Sequence, residues 1–409
     1  MNLNDRYRKS NLVNSLLEAL KEPCSHVNLR GVVGSLYGII GTATATRLPK
    51  CNHLFIAHDK EEALYLLNDI ENLLGERDAD INLKRALLFP ASNKRPYQEE
   101  KGNKVNLMHR GNVLARLTAG DPIIIVSYPE ALCEKEMSRK AVKDNSLHLA
   151  CGKVMSMDDL IDKLVDYHFE HVDFVCNPGQ FAVRGGIIDV FSFSDEHPYR
   201  VEFFGDEIVS LRLFSIADQL TISTTQSVTI LPEKDEKKPG LELLGLLDSL
   251  NTDSIVWVEG LRSAASGMEA CYSNARKEYE RIDPCIPVTL RPLPPDKRYC
   301  TANQFLATLK ERKVVELGNT CFFKDSVRLE GKSEPHPTFN KKFDRLVKML
   351  NDYQEHGYKA LICVSNEQQR KRLDKIITTL TTETVPWECV PMPLHRGFID
   401  HDTHLLCFT

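Results

Sequence analysis

Apolar and polar positions follow three different rhythms along the chain. Up to about residue 130, helical periodicity over 12–20 and 61–74 is interleaved with short apolar runs at 52–57, 86–89 and 122–127. Runs that short and that predominantly apolar predict buried parallel strands, so the opening segment reads as an α/β layer. Between 145 and 214 the pattern becomes one helix, 156–167, and then four short alternating runs joined by glycine turns, which predicts an α+β insert. In that helix Leu160, Ile161, Leu164 and Val165 line one side, while Asp158, Asp159, Asp162 and Asp166 line the other as a solvated polar face. A charged linker at 233–238 leads to a predicted helix 241–250, a strand 254–258 and a helix 270–280, so the α/β character returns. One α/β domain, interrupted by the insert and then completed, explains this return with fewer assumptions than two unrelated domains. Segments 284–295 and 331–337 read as boundary or surface stretches. Beyond them a helix 339–354, a strand 358–364, a helix 367–380 and a strand 404–408 predict a further small α/β unit. The expected partition is 1–130, 131–214, 215–332 and 333–409. A chain that stops at Thr409 directly after a strand reads as part of something longer.

The most specific local pattern lies in the insert. Gly185 and Gly186 stand between two alternating runs and supply the positive φ angles of a two-residue hairpin turn, which pairs Arg184 with Ile187 and Val183 with Ile188. That register places Phe181, Val183, Ile188 and Val190 on a core face, and Ala182, Arg184, Ile187 and Asp189 on the opposite one. An exposed arginine beside an exposed isoleucine, with small neighbours, has the composition of an interface hot spot. The same residues also suit a plainer arrangement, in which Arg184 pairs diagonally with Asp189 on a solvated sheet. Both readings stand at this stage.

A length of 409 residues exceeds one core and implies two to four domains. The net charge of −5 comes from interspersed Lys, Arg, Asp and Glu, so the electrostatic footprint of a dedicated nucleic-acid binder is missing and DNA binding by this chain alone is expected to be weak. Twelve cysteines are scattered without a C-x-x-C pair, which argues against a zinc site and against a disulfide scaffold. The first residues lack an apolar signal core and no run approaches membrane-spanning length. A cytoplasmic protein with reduced thiols is expected.

Candidate chemistry is sparse. The glycine-rich stretch from Gly31 to Thr42 stands where a nucleotide-binding α/β domain carries its phosphate loop, ahead of a helix, yet it contains no Gly-Lys pair to meet the terminal phosphates. Close helix packing by small residues is the preferred account, and an ATPase built on this loop is the alternative. His168 with His171, and His401 with His404, have metal-like spacing but no third ligand nearby. Nucleophile signatures are also missing, so no catalytic residue and no metal ligand are nominated. The basic segment 89–98, with its single tyrosine, reads as a surface turn rather than a phosphate contact.

Phe181-Ala-Val-Arg-Gly-Gly-Ile-Ile-Asp-Val-Phe191, Pro198-Tyr-Arg-Val-Glu-Phe-Phe-Gly-Asp-Glu-Ile208 and Ser210-Leu-Arg212 closely resemble the transcription-repair coupling factors, the Mfd family. Residues 89–98 and 394–400 do so as well, so the resemblance extends over nearly the whole chain. It implies a degenerate helicase-like, UvrB-like α/β domain in two segments, 1a and 1b, with the inserted α+β domain 2 between them and the small α/β domain 3 after them. It further implies that domain 2 recruits UvrA to start nucleotide excision repair at a stalled RNA polymerase. The UvrA-binding residues carried over by the resemblance are Arg184, Gly185, Gly186, Ile187, Phe181, His171 and Arg200. UvrB-type proteins place further arginines where this chain has His171 and Ala182. In such a family ATP and magnesium serve the translocase domains, which act on double-stranded DNA and RNA polymerase. No cofactor, no membrane contact and no lesion-probing hairpin are expected in the present chain.

Overall fold

The computed structural model describes residues 3–92, 95–97, 104–232, 241–287, 291–337, 339, 342–380 and 387–409. The linker expected at 233–238 lies outside the described residues, as do Asn93, Lys94 and Gln98 of the basic segment.

Among the described residues, seven strands form the largest sheet, in the order Val327–Glu330, His26–Arg30, Lys313–Leu317, Ile255–Glu259, His53–Ile56, Ile124–Ser127 and Ala86–Leu88. Every neighbouring pair is parallel. Each residue of 53–56 and 124–127 is buried, as a sheet covered on both faces requires. The sheet therefore draws its strands from both sides of the α+β segment.

Two elements differ from the sequence pattern. The helix expected at 241–250 is a short strand, Leu243–Leu244, followed by one helical turn, Leu246–Ser249. Leu243 and Leu244 pair antiparallel with Met137 and Glu136, and that ladder replaces the first helical turns. The helix expected at 270–280 starts earlier, giving Leu261–Glu280.

The α+β unit is a six-stranded sheet ordered Thr221–Thr225, Glu207–Phe214, Tyr199–Phe204, Ile187–Val190, Gln180–Arg184 and Glu170–His171. Helix Met157–Asp166 covers one face; Ser156 caps it by accepting the Asp159 amide at 3.0 Å. Leu160 and Leu164 join Phe181, Ile188, Val190 and Val201 in a core of their own. The four aspartates of the helix are exposed, and so is Val165, which the pattern had assigned to the apolar side. This core runs from Leu147 to Ile230 rather than from 131 to 214. Strand 221–225 continues the ladder from 207–214, and Ser227–Ile230 pairs with Leu147–Ala150, so the chain stays in the unit beyond Phe214.

The last unit is a sheet ordered Ser333–Glu334, Phe398–Asp400, Leu405–Phe408, Lys359–Cys363 and Glu388–Val390, with helices Phe343–Glu355 and Glu367–Leu380. Its Leu361, Cys363, Phe398, Leu405 and Cys407 belong to the same continuous buried cluster as the parallel sheet. Among the described residues no helix is long and apolar enough to cross a membrane.

Candidate partner-docking site

The hairpin forms with the register that its alternation dictates: Arg184 opposite Ile187, Val183 opposite Ile188, Ala182 opposite Asp189 and Phe181 opposite Val190. Of the two glycines only Gly185 has a positive φ, +57°, a correction to the expected pair and the pattern of a type II′ turn. Strand pairing continues across the sheet, so Ala182, Asp189, Arg200, Arg212 and Thr224 form one row on the face away from the helix. Arg184, Ile187, Glu202 and Ser210 form the next row.

Asp189 organises these rows. Its side chain is 1% exposed, yet it accepts hydrogen bonds from two arginines. Arg200, directly opposite, donates Nε to Oδ1 at 2.7 Å and Nη2 to Oδ2 at 2.9 Å, and Arg184, on the diagonal, donates Nη2 to Oδ2 at 2.5 Å. Arg200 also stacks over Phe214 at 4.3 Å and reaches Gln219, and its hydrogen bonds to Asp189 push its pKa further up. Arg184 lies over the Phe174 ring at 4.9 Å and keeps 42% of its side chain exposed. The diagonal pair and the accessible arginine thus coexist.

The face is less open than alternation alone suggests. The segment after His171 folds back across it, and Val175 packs with Ala182 and Phe191, with Val172 and Ile216 at the margin. Ala182 is therefore buried and offers no small exposed step beside Arg184. Phe181 is buried in the core beneath the sheet, where it supports the hairpin without touching solvent. His171 is exposed, but it pairs with Phe181 and its ring stacks on that phenylalanine at 4.9 Å, so it faces the core side and not the Arg184 side. Ile187, directly opposite Arg184 in the same row, is half-buried, and the Gly186 carbonyl accepts the Phe203 amide at 2.8 Å.

That last bond sets the neighbouring hairpin tip beside the glycine turn, and it brings in a residue the pattern missed. Phe204 is 81% exposed there. The signal was the Phe203–Phe204 doublet, where alternation breaks and the ladder shifts register between Glu202 and Phe203. Phe174, 60% exposed, was missed because its segment has no periodicity.

The glycine-rich stretch has a different fate. Its helix, Leu36–Arg47, begins within the glycine run, and a side chain at Gly41 would meet the Phe55 ring at 2.5 Å. Small residues here permit helix and sheet to touch. The corner where a phosphate loop would open holds the backbone of Arg396: its carbonyl accepts the Ser35 amide at 3.0 Å, and its amide donates to Ser35 Oγ at 3.0 Å. Elsewhere, His168 and His404 sit at positive φ, and among the described residues no group of three His, Cys, Asp or Glu side chains gathers as a metal site. In the 89–98 segment Phe89 is buried under the Arg110 guanidinium and Tyr97 bonds the Leu293 carbonyl.

Residues 147–235 match the UvrB interaction domain. The whole docking face lies inside that stretch. The transcription-repair-coupling factor of Bacillus subtilis is 30% identical over 224 residues, which takes in 55% of this chain and 18% of that protein. That of Escherichia coli is 28% identical over 192 residues, 46% of this chain and 16% of the relative. The chain resembles the transcription-repair-coupling factors. The resemblance drawn from the hairpin motifs is borne out, and it reaches a second protein class: UvrABC system protein B of Streptococcus uberis is 46% identical over 76 residues, 18% of this chain and 12% of that protein. The matched stretch is under a fifth of either coupling factor's length.

Proposed function

We propose that this chain is the UvrB-like part of a transcription-repair coupling factor and that its α+β unit docks UvrA through Arg184, with Ile187, Phe174 and Phe204 as the apolar ledge around it. The observation that carries the reading is an arginine held half-exposed over an aromatic ring, beside a glycine tip, within the UvrB interaction segment. Gly185 and Gly186 shape the tip, Phe181 supports it from below, and Arg200 stands behind Arg184 as its companion. The parallel sheet, with strands from either side of the insert, supports a helicase-like domain in two segments. Arg396 seated at the glycine-rich corner supports a chain without nucleotide chemistry of its own. ATP-driven movement on double-stranded DNA and displacement of a stalled RNA polymerase belong, in this reading, to the whole coupling factor in the cytoplasm.

Titration of purified UvrA with the 409-residue chain and its Arg184→Ala variant tests the proposal. Loss of an interface arginine is expected to weaken binding by about 2 kcal/mol or more, roughly thirtyfold. The thermal midpoint should move little, because Arg200 keeps both oxygens of Asp189 engaged. Equal affinity of the two proteins would refute the assignment.

A further inference from the structure

Resting on the docking reading above, we infer that Asp189 is a positioning residue: a buried carboxylate that sets the direction and net charge of the arginine pair a partner meets. Two guanidiniums converge on one carboxylate that has almost no contact with water. Without that anion two like charges would face each other across adjacent strands and turn apart into solvent. With it, the cluster carries one net positive charge and a fixed geometry.

The two arginines are not equivalent. Arg200 gives two nitrogens to Asp189, stacks over Phe214 and bonds Gln219, so it has no freedom to swing outwards. Arg184 gives one nitrogen, and among the described residues it makes no other hydrogen bond. Its remaining N–H groups are presented above Phe174, a flat apolar ring that is itself exposed. A partner carboxylate flanked by an apolar side chain fits that arrangement: the acid completes the guanidinium's hydrogen bonds and the apolar group lies on Phe174. Arg200 and Asp189 then form a rigid base that holds Arg184 ready, so little ordering remains for the moment of binding.

Affinity for UvrA is measured for the 409-residue chain, Asp189→Asn, Arg184→Ala and the double variant, with thermal midpoints recorded for each. The expected result is at least a tenfold loss for Asp189→Asn, and no further loss when that change is added to Arg184→Ala, because the carboxylate acts through the arginine. Unchanged binding by Asp189→Asn, or an equal loss in both backgrounds, overturns the inference. Full-strength binding by Arg184→Ala sinks the docking reading itself, whereas a weakened Arg184→Ala beside an intact Asp189→Asn sinks only the positioning role. Should Asp189→Asn not fold, Asp189→Glu keeps the charge and displaces the guanidinium by one methylene. Its loss is likewise expected to vanish in the Arg184→Ala background, and persistence there overturns the inference equally.

Discussion

Ser35 Oγ donates a 2.5 Å hydrogen bond to Asp69 Oδ2 beneath the last unit, and the same hydroxyl accepts the amide of Arg396. Asp69 Oδ1 in turn accepts the His395 amide at 2.9 Å. Burial raises the Asp69 carboxyl to about 6, against a smaller opposite pull from Ser35 and His395. A folded-state value above the unfolded one of about 3.9 means that the native protein holds the extra proton between about pH 4 and 6. This contribution is fully present below that window and is lost as pH rises through it. Urea midpoints at pH 4, 5, 6 and 7 should show wild type losing about 2–3 kcal/mol relative to Asp69→Asn across the series. Parallel curves for the two proteins would mean that Asp69 does not carry the linkage.

Two glycines of the α+β unit should respond differently to alanine. At Gly179, φ is +85° and a Cβ would sit 2.4 Å from the Phe193 ring; at Gly185, φ is +57° with nothing within 4 Å. Gly185→Ala then meets backbone strain alone, about 1–2 kcal/mol. Gly179→Ala adds overpacking to the same strain, for a total of about 2–5 kcal/mol. Chemical denaturation of both variants measures the gap, and equal losses would show that the Phe193 ring moves aside freely.

Arg110 is fully enclosed between Glu136, at 2.5 Å from Nε, Glu134, at 3.3 Å from Nη1, and the Pro90 carbonyl at 2.6 Å. Both carboxylates raise its pKa, although burial pulls the other way. Arg110→Ala removes the cation between two acids and is expected to destabilise the chain by about 3–5 kcal/mol. Arg110→Met combined with Glu136→Gln should recover part of that loss, since the buried charge imbalance is smaller. A denaturation midpoint for Arg110→Ala within error of wild type would contradict this.

Much of the docking hairpin was legible, because a period of two and a glycine pair leave one register that buries Phe181, Ile188 and Val190 together. What alternation cannot express is a covering loop. Residues 172–176 lie over Ala182 through Val175, with Val172 at the margin, and no repeat in their sequence announces it. In the parallel sheet, strand 26–30 escaped notice because His26, Asn28 and Arg30 interrupt its apolar run. Asn28 is nonetheless buried, with its amide bonding the carbonyls of Glu316 and Gly318. The first turns of helix Leu261–Glu280 are hidden by Gly267, Ser263 and Ser266, residues of lower helix propensity that weaken the pattern before 270.

The aliphatic interior shared by the seven-stranded layer and the closing strands has a mechanical corollary. With Phe398, Leu405 and Cys407 enclosed among residues from the opening hundred positions, peeling the tail away uncovers part of its host's interior, even though the last unit also has a cluster of its own around Leu350, Ile362 and Leu406. The insert, enclosed around its own separate interior, meets that larger block through polar and close-packed contacts instead, Asn112 Nδ2 donating to the Ser194 carbonyl and Gly111 lying against Ser194, so less apolar surface opposes its local opening.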